Sequence, residues 1–345
     1  MSSANRNRCM DTVKGFACLA VVLIHYNWGG PVSLGLKAAA RFAVPYFFFV
    51  SGFYLPDKTN HVTRANTRRK AMHILKMAII CALIYAPYCV LWNMAWAPGW
   101  DWGEFLRKEL TLGSTIKFFL SSDPFVYGHF WYLLALLGCY LVVLALGDRP
   151  GKWGYFLIFL SLLSLYTAFG PYHTLLGLTH TCSLPGGNVL VIPNLFLLRA
   201  MPFFAFGVFL RKQSAGRQTC LPFGLLLILT LAGTALAVAE ERRIDTQIMY
   251  AGTMIAVLSL ALISLWYPQK QIPLFAYIGN RLSMYVYLYH IAVGKLVDLA
   301  YARLHLWGNV PAKQLRPVIV LVLSLLTAQL ILYCKHLFSR RKAGA

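Results

Sequence analysis

The stretch Asp11-Thr-Val-Lys14-Gly-Phe-Ala-Cys-Leu-Ala-Val-Val-Leu-Ile-His25-Tyr26 decides the class of fold. It is apolar enough to enter a bilayer, yet an acid, an ammonium and an imidazole interrupt it. Ionisable groups in a membrane helix are costly, so they face a bundle interior or a wet cavity and serve function. Eleven residues advance a helix by three turns plus about 20°, and raise it by about 16 Å. Lys14 and His25 therefore share one face, with Lys14 expected near the cytoplasmic rim and His25 near the bilayer middle. Such a helix needs other helices around it.

The rest of the chain supplies them. Of 345 residues 59% are apolar and only 12% are charged, a balance that no soluble domain of this size shows. The expected fold is all-α, a polytopic membrane helix bundle forming one domain over 1–345 with no separate soluble domain. Ten spans are expected, at 11–28, 38–55, 72–95, 128–147, 153–170, 190–210, 221–239, 248–267, 274–298 and 316–337. No internal repeat is evident.

Charge sets the orientation. With both termini in the cytoplasm, most of the 32 Lys and Arg fall in cytoplasmic segments, as the positive-inside bias requires. Asp101, Glu104, Glu109, Asp123, Glu240, Glu241 and Asp245 then fall in outer loops. Arg6 and Arg8 precede an apolar run, but Asp11, Lys14 and His25 break it, so an uncleaved span is expected rather than a signal peptide. The expected location is a membrane that the chain crosses many times.

The net charge of +21 has two readings. One is topology and contact with anionic membrane lipids. The other is an acidic cytoplasmic ligand, because Lys58, Arg64, Arg68, Arg69, Lys70 and Lys76 lie close together. A nucleic acid is not expected, since no basic soluble domain is there to hold it. The eight cysteines show neither C-x-x-C nor metal spacing, so no metal and no disulfide framework are expected. Cys18, Cys81, Cys89 and Cys139 read as small apolar fillers. In the outer stretch 96–127, Trp102, Glu104, Arg107 and Lys108 suggest an interfacial amphipathic helix.

Six segments carry polar groups where chemistry is possible. An imidazole ordinarily titrates near neutrality, so His25 suits a general base, or else it is a structural histidine. Asp11 and Lys14, three apart, are a candidate pair of catalytic groups or a plain ion pair at the membrane edge. In Arg41-Phe-Ala-Val-Pro45-Tyr-Phe-Phe-Phe-Val-Ser51-Gly52, Pro45 is expected to kink a span and Gly52 to permit close approach. The aromatic run reads as packing, and Ser51 as a bundle hydrogen bond or a substrate contact. Arg64, Arg68, Arg69 and Lys70, with Arg8, form a cytoplasmic basic face whose guanidinium groups suit phosphates. His129, Trp131 and Tyr132 open the fourth span as interfacial anchors or as the lining of an outer acceptor site. Arg199 lies deep in the sixth span beside Pro202 and needs an anionic or carbonyl partner. Ser283, Tyr287 and His290 form one polar stripe on the ninth.

Taken in order, these segments resemble the acyltransferase-3 family of bacterial integral membrane enzymes. Lys14 and His25 match its basic-x10-His motif, with Asp11 upstream. FFFVSGFYL, HFWYLLAL, RAMPFFAFG and GNRLSMYVYLYH are similar to its later blocks. One departure is Lys14, where arginine is common. Another is the expected lack of the fused hydrolase-like domain that some members carry. The resemblance implies about ten spans and cytoplasmic acyl-CoA (acetyl-CoA in the first instance) as co-substrate. It also implies transfer to a hydroxyl of a cell-envelope glycan or lipid-linked sugar, with His25 as the catalytic residue and Arg68 and Arg69 on the donor side. A direct attack on the thioester is expected, with Lys14 or Arg199 near the developing oxyanion. The competing readings are a proton- or ion-coupled transporter and a non-catalytic sensor module of the same family. A homo-oligomer is left open.

Overall fold

The computed structural model describes residues 6–96, 101–123, 128–214, 220–244 and 249–343. The helices are α1 (Arg8–His25), α2 (Gly30–Ala40), α3 (Ala43–Phe53), α4 (Arg64–Trp96), α5 (Trp102–Glu109), α6 (Leu112–Ser121), α7 (Trp131–Leu146) and α8 (Gly151–Phe169). A small antiparallel hairpin follows, β1 (Thr181–Ser183) paired with β2 (Val189–Val191). Then come α9 (Phe196–Arg199), α10 (Met201–Gln213), α11 (Phe223–Glu241), α12 (Ala251–Trp266), α13 (Pro273–Tyr277), α14 (Ser283–Arg303) and α15 (Val310–Ala343). A π-helical turn, Ile278–Leu282, joins α13 to α14.

Each stretch expected to span lies mostly on helix. Among the described residues, six helical runs are long and apolar enough to cross a membrane unaided: Ser33–Phe53, Arg64–Val90, Gly128–Leu146, Gly151–Phe169, Phe223–Glu241 and Val310–Leu337. The chain is a multi-pass membrane protein. The remaining expected spans fall short for visible reasons. Asp11 and Lys14 dilute α1. The sixth breaks at Ala200, between α9 and α10. The π turn divides the ninth, and α12 is simply short.

The chain forms two compact units. One contains residues 1–47 and 219–345, the other 48–218. In the first, α1 packs against α2 and α12 to α15. Cys18, Val22, Ile278, Leu282, Val286, Val297 and Val320 form its core. Asn7 caps α1 by accepting from the Met10 N–H at 2.8 Å, so the helix starts three residues before the expected boundary. It also ends three residues early, at His25, because Asn27–Gly29 turn back into α2 and Gly29 takes φ +77°. His25 is thus the last helical residue of α1.

Two further expectations are corrected in this unit. The break in the second span falls at Arg41–Phe42, between α2 and α3, while Pro45 sits in the first turn of α3, where its missing N–H costs nothing. Glu240 and Glu241, expected in an outer loop, form the last turn of α11; Glu240 is buried, and the Glu241 side chain is 2% exposed. Glu240 Oε2 accepts the Gly252 N–H at 2.9 Å and so caps α12. Glu241 pairs with Arg41 at 3.2 Å, with both side chains under 10% exposed, and the guanidinium lies 5.2 Å from the centre of the Tyr250 ring. Removing one partner strands a buried charge. Glu241→Leu is therefore expected to cost about 3–5 kcal/mol, and the double change Arg41→Leu with Glu241→Leu to recover most of it. Thermal unfolding of Glu241→Leu, Arg41→Leu and the double variant in detergent checks this; additive losses of the two single variants would contradict it.

In the second unit α4 packs on α7, and α8 on α10. Phe48 and Phe49 are fully buried, so the aromatic run is packing, as read. Gly52 does permit close approach: a Cβ there would lie 2.0 Å from the Phe204 carbonyl oxygen. Asp148 gathers the loop ends, accepting from the Val62 N–H (3.0 Å), His61 Nδ1 (2.8 Å) and Lys212. Burial works against its charged form, but these bonds outweigh burial and hold the carboxyl below the usual carboxylate range.

Candidate active site

The site is built where α1 meets α14. Near the start of α1, two glycines bring backbones together. A Cβ on Gly15 would lie 2.1 Å from the Phe275 carbonyl oxygen, and one on Gly279 would lie 2.0 Å from the Asp11 carbonyl oxygen. No side chain larger than hydrogen fits at this crossing.

The π turn then aims α14. The Ser283 N–H reaches back to the Ile278 carbonyl, so one extra residue is accommodated in the turn. Each helical residue advances about 100° around the axis, so without this insertion every side chain after Leu282 would point elsewhere. With it, His290 faces His25, ring centres 5.2 Å apart.

The two rings differ in setting. His290 is fully buried. Its Nδ1 lies 2.8 Å from the Tyr287 carbonyl and 3.0 Å from the Val286 carbonyl. Carbonyls only accept, so the hydrogen sits on Nδ1 and, in the neutral ring, Nε2 is the basic nitrogen. His25 is exposed at the end of α1. Tyr26, the next residue, anchors this end: its hydroxyl donates to the Ile291 carbonyl at 3.2 Å and its ring lies over Gly294. Arg316 stacks on Tyr26, 5.1 Å from the ring centre, and its Nε donates to Asp298 at 2.7 Å. Sequence reasoning passed over Tyr26, Gly294 and the Asp298–Arg316 pair. A carboxylate near the end of an apolar segment was the available signal for that pair.

The remaining expected residues are placed as follows. Lys14 is tied to Asp11 at 3.3 Å, and Asp11 also accepts from Arg6 at 2.6 Å. Lys14 stays about 16 Å of helix rise from His25, and Asp11 about 21 Å. Tyr287 lies alongside His290, with ring centres 6.4 Å apart, while Ser283 spends its hydroxyl on the Gly279 carbonyl at 2.8 Å. Arg8 is exposed at the start of α1.

The other expected residues belong to the second unit. Arg64, Arg68 and Arg69 project from the first two turns of α4 and are exposed; Arg69 donates to Asn66 at 2.8 Å, and Lys70 donates to the Tyr54 carbonyl. Ser51 hydrogen-bonds Tyr132 and Tyr140. His129 is buried against Tyr85 and Phe130. Arg199 is buried beside the break before Pro202, with its guanidinium 3.8 Å from the Trp131 ring centre.

A family model described as an acyltransferase domain matches residues 7–334, which takes in every one of these positions. The chain belongs to the acyltransferase-3 family. A serine/alanine racemase of Enterococcus gallinarum is 23% identical over 310 residues, covering 83% of this chain. The acyltransferase-3 chain spans only 40% of that relative's length. No solved structure matches.

Proposed function

We propose that this acyltransferase-3 protein is an O-acyltransferase. It moves an acyl group, acetyl in the first instance, from cytoplasmic acyl-CoA to a hydroxyl of a cell-envelope sugar. The observation that carries this reading is the exposed His25 ring facing a buried histidine of fixed tautomer, in a chain that the family matches nearly end to end.

His25 takes the proton from the acceptor hydroxyl as its oxygen attacks the thioester carbonyl. The tetrahedral adduct collapses and expels the coenzyme A thiolate. The imidazolium returns its proton to that thiolate, so an ester and a thiol leave and the histidine is restored. His290, with Nδ1–H tied to two carbonyls, cannot swing out, and it limits where the His25 ring rests. Asp11 and Lys14 neutralise each other in the lower half of α1 and hold it in place. Arg64, Arg68 and Arg69 bind the donor phosphates, helped by the positive end of α4.

Purified protein in detergent, given acetyl-CoA and candidate sugars, tests the reading. Thiol release that depends on the sugar, with a matching mass gain on that sugar, is expected. Proton or solute movement in vesicles with no thiol release would favour a transporter and overturn the proposal.

A further inference from the structure

The second unit holds a cavity of about 170 Å³ that the steps above do not use. Lys117, Ser121 and Asp123, at the end of α6 and just beyond it, line one side. Trp131 at the start of α7 lines another, and Asn194 and Arg199 close it. The space is enough to take one charged or polar group of a larger molecule.

The site is built rather than incidental. Arg199 is 7% exposed, donates to the Ser121 carbonyl and stacks on Trp131. Its Nε–H is buried without a hydrogen-bond partner. A buried donor left unmet costs about 1–3 kcal/mol, so the group is poised for a ligand. The walls are braced: Asn188 donates to the Thr111 hydroxyl at 3.0 Å, tying the hairpin to α6. Ser122 takes the left-handed conformation to end that helix. Lys117 and Asp123 lie 3.3 Å apart and offset each other, which leaves the Arg199 charge in surplus. A net charge of about +1 calls for one negative charge. The planar fork of arginine presents paired donors to an oxyanion.

We infer that this cavity binds a singly charged oxyanion carried by the acceptor: a sugar carboxylate or a phosphodiester. The lining comes from stretches far apart in sequence, 117–123 with 128–131 and 189–199, which the charge bias places toward the outer face. That the ligand is an acceptor rests on the transfer reading; that the ligand is an anion does not.

Calorimetric titration of the full chain in detergent, with no acyl donor present, tests this. The probes are methyl glucuronide, dimethyl phosphate and methyl glucoside. One of the two anions is expected to bind at least about tenfold tighter than the neutral glucoside. Preference for the glucuronide identifies an acidic sugar, and preference for the diester a lipid-linked one. Lys117→Met and Asn194→Ala, which keep the buried arginine, are each expected to weaken that binding, and Arg199→Gln to remove it. His25→Ala should leave it unchanged. Equal binding of all three probes, or anion binding indifferent to Lys117→Met and Arg199→Gln alike, overturns the inference. Anion binding without any acyl transfer would sink only the transfer reading.

Discussion

His25→Ala is expected to abolish acyl transfer while leaving the protein folded. A positioned general base contributes roughly 10²–10⁴-fold to rate, so transfer should fall by at least that span. The change should be mild for stability, because the ring ends a helix and is exposed. Among the described residues its ring meets that of His290. His290→Ala differs in kind. That ring is fully buried and holds two carbonyls, so its loss should lower both the unfolding temperature and the rate. Thiol release from acetyl-CoA, measured beside thermal unfolding, separates the two cases. Undiminished turnover by folded His25→Ala would end the assignment of the base.

Gly279→Ala is expected to be the most damaging small substitution in the first unit. Its Cβ would meet the Asp11 carbonyl oxygen at 2.0 Å and the Gly15 nitrogen at 2.5 Å. Both obstacles are backbone, so no rotamer change relieves them. Overpacking of this kind costs about 1–3 kcal/mol or more. It should also push the π turn away from α1, and with it the His25–His290 pairing. Gly224→Ala is the control. Gly224 lies in α11 with nothing within 4 Å of its Cβ position. There alanine should be neutral or stabilising by up to about 1 kcal/mol. Equal melting temperatures for the two variants would contradict the close crossing.

How much of this was legible in the residues depends on range. Lys14 and His25 announced a membrane helix with a polar face, and hydropathy located helix for each expected span. The stripe Ser283–Tyr287–His290 followed from helical spacing alone. What spacing cannot give is the partner across a fold. Nothing in GNRLSMYVYLYH states that Ile278–Leu282 would take a π turn, and that turn decides what His290 faces. The Arg41–Glu241 pair joins residues 200 apart in sequence, so the glutamate read as a loop residue. Lys117 and Asp123 stood in a segment read as an outer loop, and Asn194 in the expected sixth span. Only the fold of α6, the hairpin and α9 gathers them around Arg199. Asp11 and Lys14 were read two ways, and the observed 3.3 Å contact agrees with the ion pair.

The first unit is assembled from both ends of the sequence, and that imposes a schedule on its birth. Tyr26 and Ile291, which share a hydrogen bond, are 265 residues apart. At a synthesis speed of roughly 5–20 residues per second, the opening helix waits roughly 10–50 s for its mate. Throughout that interval its carboxylate, ammonium and imidazole must be sheltered by water at the bilayer edge or by the insertion machinery. A delay in translation between these two residues should therefore expose the nascent chain to quality-control proteases more than an equal delay after Ile291.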